Sequence, residues 1–190
     1  MKRAAAWLLR ALARPFDLLR GPAVVESLLR ALTRTSPLTA TEVAAGREVL
    51  GADAVEWDRV VVANGGLLRL AFRVNGSRAF TTFHTINLPE SGTHTRTNVD
   101  IIVHELVHVL QFERVGSRYA GEALGAQEGA GYGYGGPDGL RRDRAAGLKL
   151  ADFNREQQGQ IAQDYFTLRQ RGGDTSAYDP FIADLRAGDV

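Results

Sequence analysis

The chain has 190 residues, enough for one ordinary domain with a short appendage and too few for two full domains. Its 44% hydrophobic and 24% charged residues are typical of a folded globular protein, and a net charge of +1 argues against a dedicated nucleic-acid-binding protein. The sequence contains no cysteine, which excludes disulfide bridges, thiolate metal sites and cysteine nucleophiles.

Positive charge is concentrated at the start of the chain. Residues 1–35 carry seven basic side chains against two acidic ones. Ala, Leu and interspersed Arg predict one or two amphipathic helices over Ala4–Leu32, with breaks around Pro15 and Gly21. We therefore predict a basic helical arm over residues 1–35, followed by a domain over residues 36–190. The arm has three interpretations: a helix on the domain or in solvent, a helix that docks on a membrane surface or partner, or a targeting segment.

The sequence predicts neither a membrane span nor a secretory signal. No uncharged apolar run approaches the roughly 18 residues of a transmembrane helix. Ala4–Leu9 is the only apolar stretch near the start, and Arg10 interrupts it before it reaches the length of a signal core. We expect a cytoplasmic protein, or one that an injection system exports without a cleavable signal.

The domain begins with a predicted helix and continues with strands. Thr39 and Glu42 have the spacing of a capping box, and Gly51 is a typical helix stop. Strand-like patterns follow at Arg59–Ala63 and Leu67–Val74, the second by alternation of apolar and polar residues.

A predicted hairpin completes the sheet. Asn75-Gly76 is a strong signal for a two-residue turn that leads the chain back into Arg78–Phe83. His84–Leu88 either continues that strand or forms another. The expected sheet is small and antiparallel, with three or four strands.

The second half of the chain is predicted to be helical. Apolar residues on almost every side of a helix over Val99–Val115 predict that it is deeply buried, and Gly116 ends it. A further helix is expected over Gly121–Glu128, and the glycine-rich stretch 129–139 is expected to form no regular element. Residues 151–171 predict the last long helix, with one short helical turn after it.

The sequence HELVH at residues 104–108 is the strongest chemical signal. On a helix, His104 and His108 lie on the same face about 6 Å apart, which suits two imidazole ligands of one zinc ion. Glu105 between them is placed to act as the general base on a water molecule held by the metal. Polar side chains in such an apolar helix need partners, and a metal provides them.

Two histidines leave a metal site incomplete. The extended motif with a third histidine is absent, because Gln111 stands where that motif has glycine, so a carboxylate is needed. Glu113 lies five residues past His108 and points away from the site, and Glu128 borders the glycine-rich stretch. We favour neither.

Glu156 and Glu122 remain as candidates for the third ligand. Glu122 begins the predicted helix that follows the motif. Glu156 shares a helix face with Gln160 and Asp164, which are suited to orienting metal ligands. We place Glu156 ahead of Glu122, and the residues by themselves leave both open.

The segments around the motif resemble a known family. HELVHVLQFERVG, preceded by LTATEVAAGREVLGADAVEWDRVVV and followed by YAGEALGAQ, GAGYGYGG and FNREQQGQIAQDYF, is similar to the metallopeptidase-like domain of extracellular contractile injection systems and bacterial Vgr-related proteins. The resemblance covers residues 37–170. It implies an α+β, zincin-like fold in which a small antiparallel sheet packs on the buried motif helix. It also implies zinc bound by His104, His108 and Glu156, with Glu105 as the base. Val107 stands where the family pattern HELTH has threonine.

The zincin-like fold also suggests how a substrate would bind. The strand before the metal helix, here Ala79–Leu88, would lie at the sheet edge and pair with an extended peptide. The glycine-rich stretch is either a mobile lid or, as we favour, a connector. Six side chains are candidates for stabilising the oxyanion, and no spacing argument selects among them: His84, His94, Tyr119, Tyr132, Tyr134 and Tyr165.

These patterns support three functions. The leading hypothesis is a zinc-dependent, gluzincin-like peptidase acting on peptide or protein substrates. The alternative is a metallopeptidase-like adaptor or cargo module of a type VI-like or contractile injection system, with a structural or vestigial metal and the basic arm as its docking element. A toxin would share the chemistry of the first hypothesis and differ in its destination.

Overall fold

The computed structural model describes residues 15, 17–66, 68–119 and 131–190. Seven α-helices and a four-stranded sheet lie wholly within these residues, which confirms the predicted α+β class. The helices are α1 (Gly21–Ala31), α2 (Ala40–Leu50), α3 (Leu68–Asn75), α4 (Val99–Val115), α5 (Gly136–Ala145), α6 (Arg155–Gln170) and α7 (Asp179–Ala187). The strands are β1 (Arg34–Pro37), β2 (Val61–Asn64), β3 (Phe80–Thr82) and β4 (Thr85–Asn87), and 3-10 turns cover Trp57–Arg59 and Leu150–Asp152.

The sheet is mixed, so the prediction of a wholly antiparallel sheet is wrong. Its strand order is β1-β2-β4-β3. β1 and β3 run antiparallel to their neighbours, whereas β2 and β4 are parallel, with Val62 opposite Ile86. Parallel neighbours require a crossover connection, and the chain between β2 and β4 makes it through α3 and β3. β3 is thereby left at an edge of the sheet.

The predicted strand Leu67–Val74 is also wrong, because the chain is helical over α3. Leu68 and Phe72 are buried, whereas Leu70 between them is exposed. This is the four-residue spacing of a helix face, and the apparent alternation of apolar residues concealed it.

The Asn75-Gly76 pair ends this helix and does not form the predicted hairpin turn. Gly76 has a φ of 72°, and the Ser77 amide donates to the Phe72 carbonyl at 2.9 Å. Both features are typical of a helix C-terminus capped by a left-handed glycine. An Asn-Gly pair is typical of both a hairpin turn and a helix C-terminus, so the residues before it decide which of the two forms.

The hairpin lies further along the chain. Ala79–Leu88, expected as one edge strand, contains both β3 and β4, joined by the two-residue turn Phe83-His84. Phe83 has a φ of 56°, as tight hairpin turns require. Only β3 therefore occupies the edge position.

Helix α5 begins inside a stretch that was expected to be irregular, and α7 replaces the one short helical turn that was expected in the tail. α5 begins at Gly136 inside the stretch 129–139, where Pro137 lies in the first turn. α7 is nine residues long, and it buries Phe181, Ile182 and Leu185. These side chains belong to the main core, which explains why the tail forms a full helix.

Helices α2 and α4 agree with the sequence patterns. Thr39 and Glu42 form the predicted capping box, and α2 ends at Gly51. α4 buries every residue from Ile102 to Gln111, as its apolar character predicts, and ends at Gly116. It lies between α6 on one side and α2 on another, and it contacts strands β3 and β4.

The described part of the arm contacts the sheet. Glu26 accepts hydrogen bonds from the His84 amide and the Thr85 hydroxyl, both at 2.9 Å, and Arg30 donates to the Thr85 hydroxyl at 3.0 Å. The rest of the predicted arm (residues 1–14) and the predicted helix Gly121–Glu128 lie outside the described residues. The division into an arm and a domain stays a prediction.

Across the part of the chain that the structure describes, no helix has both the length and the apolar character needed to cross a membrane.

Candidate metal centre

The motif residues lie together in the middle of α4. His104 and His108 are one turn apart with their ring centroids 5.1 Å from each other. Both imidazoles and the Glu105 carboxylate are buried. The predicted placement of the two histidines on one helix face agrees with this geometry.

Glu156, in the first turn of α6, brings a carboxylate to the two imidazoles. Its Oε2 lies 3.5 Å from Nε2 of His104 and 3.6 Å from Nε2 of His108. Glu156 is the candidate for the third ligand that the sequence analysis placed first. Glu122 and Glu128 lie outside the described residues, and Glu113 lies beside His84 instead.

The spacing of these donor atoms fits a tetrahedral metal better than a hydrogen bond. Ligands about 2.0–2.2 Å from a common zinc ion stand about 3.3 Å from one another. The observed separations of 3.5 and 3.6 Å are close to this value and exceed the usual length of an N–H···O bond. Two imidazoles and one carboxylate are also a donor set of catalytic zinc sites, which keep a fourth position open.

The electrostatics of the site favour a positive charge between these residues. Burial opposes protonation of His108, but the Glu156 carboxylate outweighs it and raises the pKa of His108 to about 9. Burial likewise opposes ionisation of Glu156, yet the two histidines hold the pKa of its carboxyl well below its usual range. A divalent cation would satisfy the same carboxylate while both imidazoles stay neutral, each with a single ring proton.

A chain of amides fixes the orientation of His108. Its Nδ1 lies 2.8 Å from Oε1 of Gln111, whose Nε2 donates to Oε1 of Gln158 at 2.9 Å. Gln158 in turn donates to the carbonyls of Leu150 and Phe153. Because an amide oxygen only accepts, Nδ1 carries a proton, and Nε2 is the ring nitrogen that faces Glu156 and would bind a metal once its own proton is lost.

The sequence reasoning missed both glutamines as orienting residues. Gln111 was considered only as a substitute for glycine, although its place three residues after His108 puts it on the same helix face. Gln158 is the second glutamine of the EQQ triplet. Gln160 and Asp164, which were expected to orient ligands, bond to each other at 2.8 Å, and Asp164 also accepts from the Tyr134 hydroxyl.

His104 is positioned mainly by packing. Among the described residues its buried Nδ1 has no hydrogen-bond partner. Its ring lies against the backbone of Gly159, where a Cβ atom would stand 2.8 Å from Cε1 and Nε2. A glycine inside a helix is about 1 kcal/mol less favourable than alanine, and here it allows α6 to approach α4 closely enough for Glu156 to reach the histidines.

Glu105 lies on the side of the site that faces β3. The Thr81 hydroxyl donates to its Oε2 at 2.7 Å. This bond connects the carboxylate to the edge strand and limits its rotation. Thr81 had no role in the sequence-based predictions.

A cavity opens beside Glu105 and His104. Its volume is about 320 Å³, and its lining includes Arg78, His94, Tyr132 and Gln163. The only predicted oxyanion donors in the lining are Tyr132 and His94. The Tyr132 ring lies 5.8 Å from that of His104, and burial, followed by the charge of Glu156, raises the pKa of Tyr132 to about 12.

The other four oxyanion candidates are engaged elsewhere. The Tyr119 hydroxyl donates to the Thr81 carbonyl at 2.7 Å, and the Tyr134 hydroxyl bonds to Asp164 and Tyr178. Tyr165 is part of the main core, and His84 lies with Glu26 and Glu113.

Comparison of the chain with protein-family models, with curated proteins and with solved structures gives no match. The resemblance to the injection-system family therefore stays a prediction, and functional conclusions depend on the geometry of the site.

Replacement of Gly159 by alanine tests how the site is assembled. The added methyl group overlaps the His104 ring, so we expect the affinity for added Zn²⁺ to fall at least tenfold and the free energy of unfolding to fall by about 1–3 kcal/mol. Calorimetric zinc titration and chemical denaturation measure the two effects. Gln170→Ala, at the exposed end of the same helix, is the control and should leave zinc affinity unchanged. Equal affinities of Gly159→Ala and the wild type would contradict the proposed packing.

Proposed function

We propose that the protein is a zinc-dependent peptidase. The observation that carries this proposal is the buried set of His104, His108 and Glu156, with a second carboxylate, Glu105, that lines the same cavity as His104. The two histidines and Glu156 are the proposed ligands. An ion held by three protein ligands retains a position for water or substrate, as catalytic zinc sites require.

The chemistry divides between the ion and the protein. His104, His108 and Glu156 would hold the zinc ion, which would supply a Lewis acid that polarises a substrate carbonyl and lowers the pKa of a bound water to about 7. The Glu105 carboxylate accepts the proton from the attacking water and transfers it to the amine that leaves. Thr81 holds that carboxylate through the 2.7 Å bond, so the base does not turn away between the two transfers.

The edge strand provides a place for the substrate. β3 lies at the edge of the sheet, and the two residues directly before it, Arg78 and Ala79, line the cavity. An extended peptide that adds to this edge would pass the Glu105 carboxylate. Tyr132, at the cavity wall beside His104, is the proposed donor to the developing oxyanion, because its raised pKa keeps the hydroxyl protonated at neutral pH.

Separate replacements of Glu105 and His104 distinguish the role of the general base from that of a metal ligand. Glu105→Gln keeps the size of the side chain and removes the base, so we expect unchanged zinc content and a loss of peptide hydrolysis of roughly 10²–10⁴-fold. His104→Ala removes a ligand, and we expect one zinc ion fewer per chain than in the wild type. Elemental analysis measures the zinc content. Hydrolysis is measured on a mixture of unstructured peptides.

The matched control for Glu105→Gln is Glu90→Gln. Glu90 is exposed and pairs with Arg69, outside the cavity, and its replacement should change neither zinc content nor hydrolysis. The peptidase proposal fails if the wild type does not hydrolyse any of the peptides, or if Glu105→Gln is as active as the wild type.

Tyr132→Phe tests the oxyanion donor. Removal of one such hydroxyl lowers kcat by roughly 10²-fold, and KM should change little because the ring remains in the cavity wall. Steady-state kinetics on one cleaved peptide give both constants. The corresponding change at an engaged hydroxyl, Tyr178→Phe, serves as the control. An unchanged kcat for Tyr132→Phe would remove this residue from the reaction.

The pKa of His108 predicts how zinc binding depends on pH. In the metal-free protein the raised pKa keeps His108 protonated up to about pH 9. Its ion pair with Glu156 therefore stabilises the fold fully below about pH 6.5, and this stabilisation is lost as pH rises through 9. Zinc must displace that proton. Zinc affinity should therefore rise about tenfold per pH unit between pH 6.5 and 8.5, with about one proton released per ion.

Calorimetry in buffers of different ionisation enthalpy measures the protons released. His108→Ala should abolish the release. A zinc affinity that stays level across this pH range would show that His108 binds no proton before the metal arrives.

One observation favours the alternative function, an adaptor or cargo module whose metal is structural. Apolar side chains on and beside α1 are more than half exposed: Leu18, Leu19, Val24, Leu28 and Leu32. Such a row suits contact with another surface. Glu105→Gln distinguishes the two functions, because an adaptor keeps its partner binding in this variant whereas a peptidase loses its reaction.

A further inference from the structure

A second group of metal-binding side chains lies beyond the HELVH site. Glu56, His84 and Glu113 each place one donor atom within 4.8 Å of the others. They come from three separate parts of the chain: the loop before the first 3-10 turn, the turn between β3 and β4, and the last turns of α4. None of them is a ligand of the proposed zinc-peptidase site.

His84 is the reason to regard this group as a site. Its side chain is 3% exposed, and neither ring nitrogen makes a hydrogen bond of normal geometry to any described residue. Nε2 lies 3.2 Å from Oε1 of Glu113, and Nδ1 lies 3.8 Å from Oε2 of Glu26. A buried imidazole without a hydrogen-bond partner lowers the stability of the fold by about 1–3 kcal/mol, so we expect a partner for it.

Among the described residues, the charged groups that approach His84 or pair with its neighbours carry one more negative than positive charge. They are three carboxylates and two arginines. Arg30 bonds to Glu26 at 2.9 Å, and Arg59 bonds to Oε2 of Glu56 at 2.7 Å. Burial lowers the pKa of His84, but Glu113 and Glu26 outweigh it, so the pocket favours a positive charge. A proton on the ring provides such a charge, and a divalent cation provides it with better geometry.

We propose that Glu56, His84 and Glu113 bind a second divalent cation, with zinc as the expected ion. The 3.2 Å between Nε2 of His84 and Oε1 of Glu113 is close to the distance of about 3.3 Å between two ligands of tetrahedral zinc. The Glu56 side chain is 56% exposed, which leaves the fourth position open to water. Its backbone amide donates to Oε1 of Glu113 at 2.9 Å and holds the loop at the site.

Glu26 supplies the outer support that such a site needs. Metal-bound histidines usually donate their second ring N–H to a carboxylate, which fixes the orientation of the ring. Oε2 of Glu26 faces Nδ1 of His84, while its Oε1 accepts from the His84 amide, the Thr85 hydroxyl and Arg30. The ion would connect the end of α4 to the β3–β4 turn and, through Glu26, to α1. Its role is therefore structural.

The test is a zinc titration in the His104→Ala background, which leaves only the second site. We expect one Zn²⁺ per chain there, and a Kd at least tenfold weaker after the added change Glu113→Gln or Glu56→Gln. Glutamine at either position keeps the size of the side chain and, at 113, its acceptor for the Glu56 amide. Glu90→Gln, another glutamate paired with an arginine, is the matched control and should leave the Kd unchanged.

Two results would overturn the second site. One is the absence of bound zinc in the folded His104→Ala protein, with folding checked by circular dichroism. The other is a Kd that is the same in the Glu113→Gln, Glu56→Gln and Glu90→Gln variants. If His104→Ala does not fold, the same three changes in the wild-type chain decide the matter. We then expect Glu113→Gln and Glu56→Gln to bind one ion fewer than Glu90→Gln, and equal zinc content in all three would contradict the proposal. A loss of peptidase activity has no bearing on either result.

Discussion

The close contact between α4 and α6 is the constraint on which the candidate centre depends. Glu156 reaches both imidazoles only because Gly159, one turn further along α6, leaves room for the His104 ring. At a normal helix separation the carboxylate would stand away from the histidines. The close contact thereby brings three buried ionisable groups together. Burial is unfavourable for each charged group alone, but it becomes favourable when the three groups surround a cation.

The amide chain behind His108 shows the same dependence of polar groups on one another. Gln111 bonds the ring, Gln158 bonds Gln111, and the carbonyls of Leu150 and Phe153 end the chain. Every member is buried, so loss of one would leave its neighbour without a partner at about 1–3 kcal/mol. Such a chain holds a ring more rigidly than a solvated side chain would, because a buried partner has no competing water. His104 lacks this support among the described residues and depends on shape instead.

Local patterns predicted those parts of the molecule whose signal lies within a few residues. The capping box of α2, the burial of α4 and the shared face of His104 and His108 all follow from spacing along one helix. The segment of α3 was predicted as a strand because a short apolar segment fits both the helical and the strand period. Leu68 and Phe72 are buried through contacts with Ala63 of β2, which the local pattern does not reveal. The parallel pairing of β2 and β4, the bond of Thr81 to Glu105 and the clearance at Gly159 join distant segments. No single-sequence period encodes them.

Helix α4 contributes side chains to both candidate metal sites, one at its centre and one near its C-terminal end. At its centre, the helix carries donors whose partner comes from α6, and the open side of that group faces a cavity. Near its C-terminal end, Glu113 meets His84 and Glu56 on the side of the sheet, and the surrounding contacts lead to α1. An ion at the centre would be accessible to a substrate, whereas an ion at the end would bridge separate chain segments. The same residue types would then serve different purposes, because the open coordination position would face a cavity in the first group and solvent in the second. By that criterion the central group is suited to catalysis, and the second is suited to holding the helix that carries it.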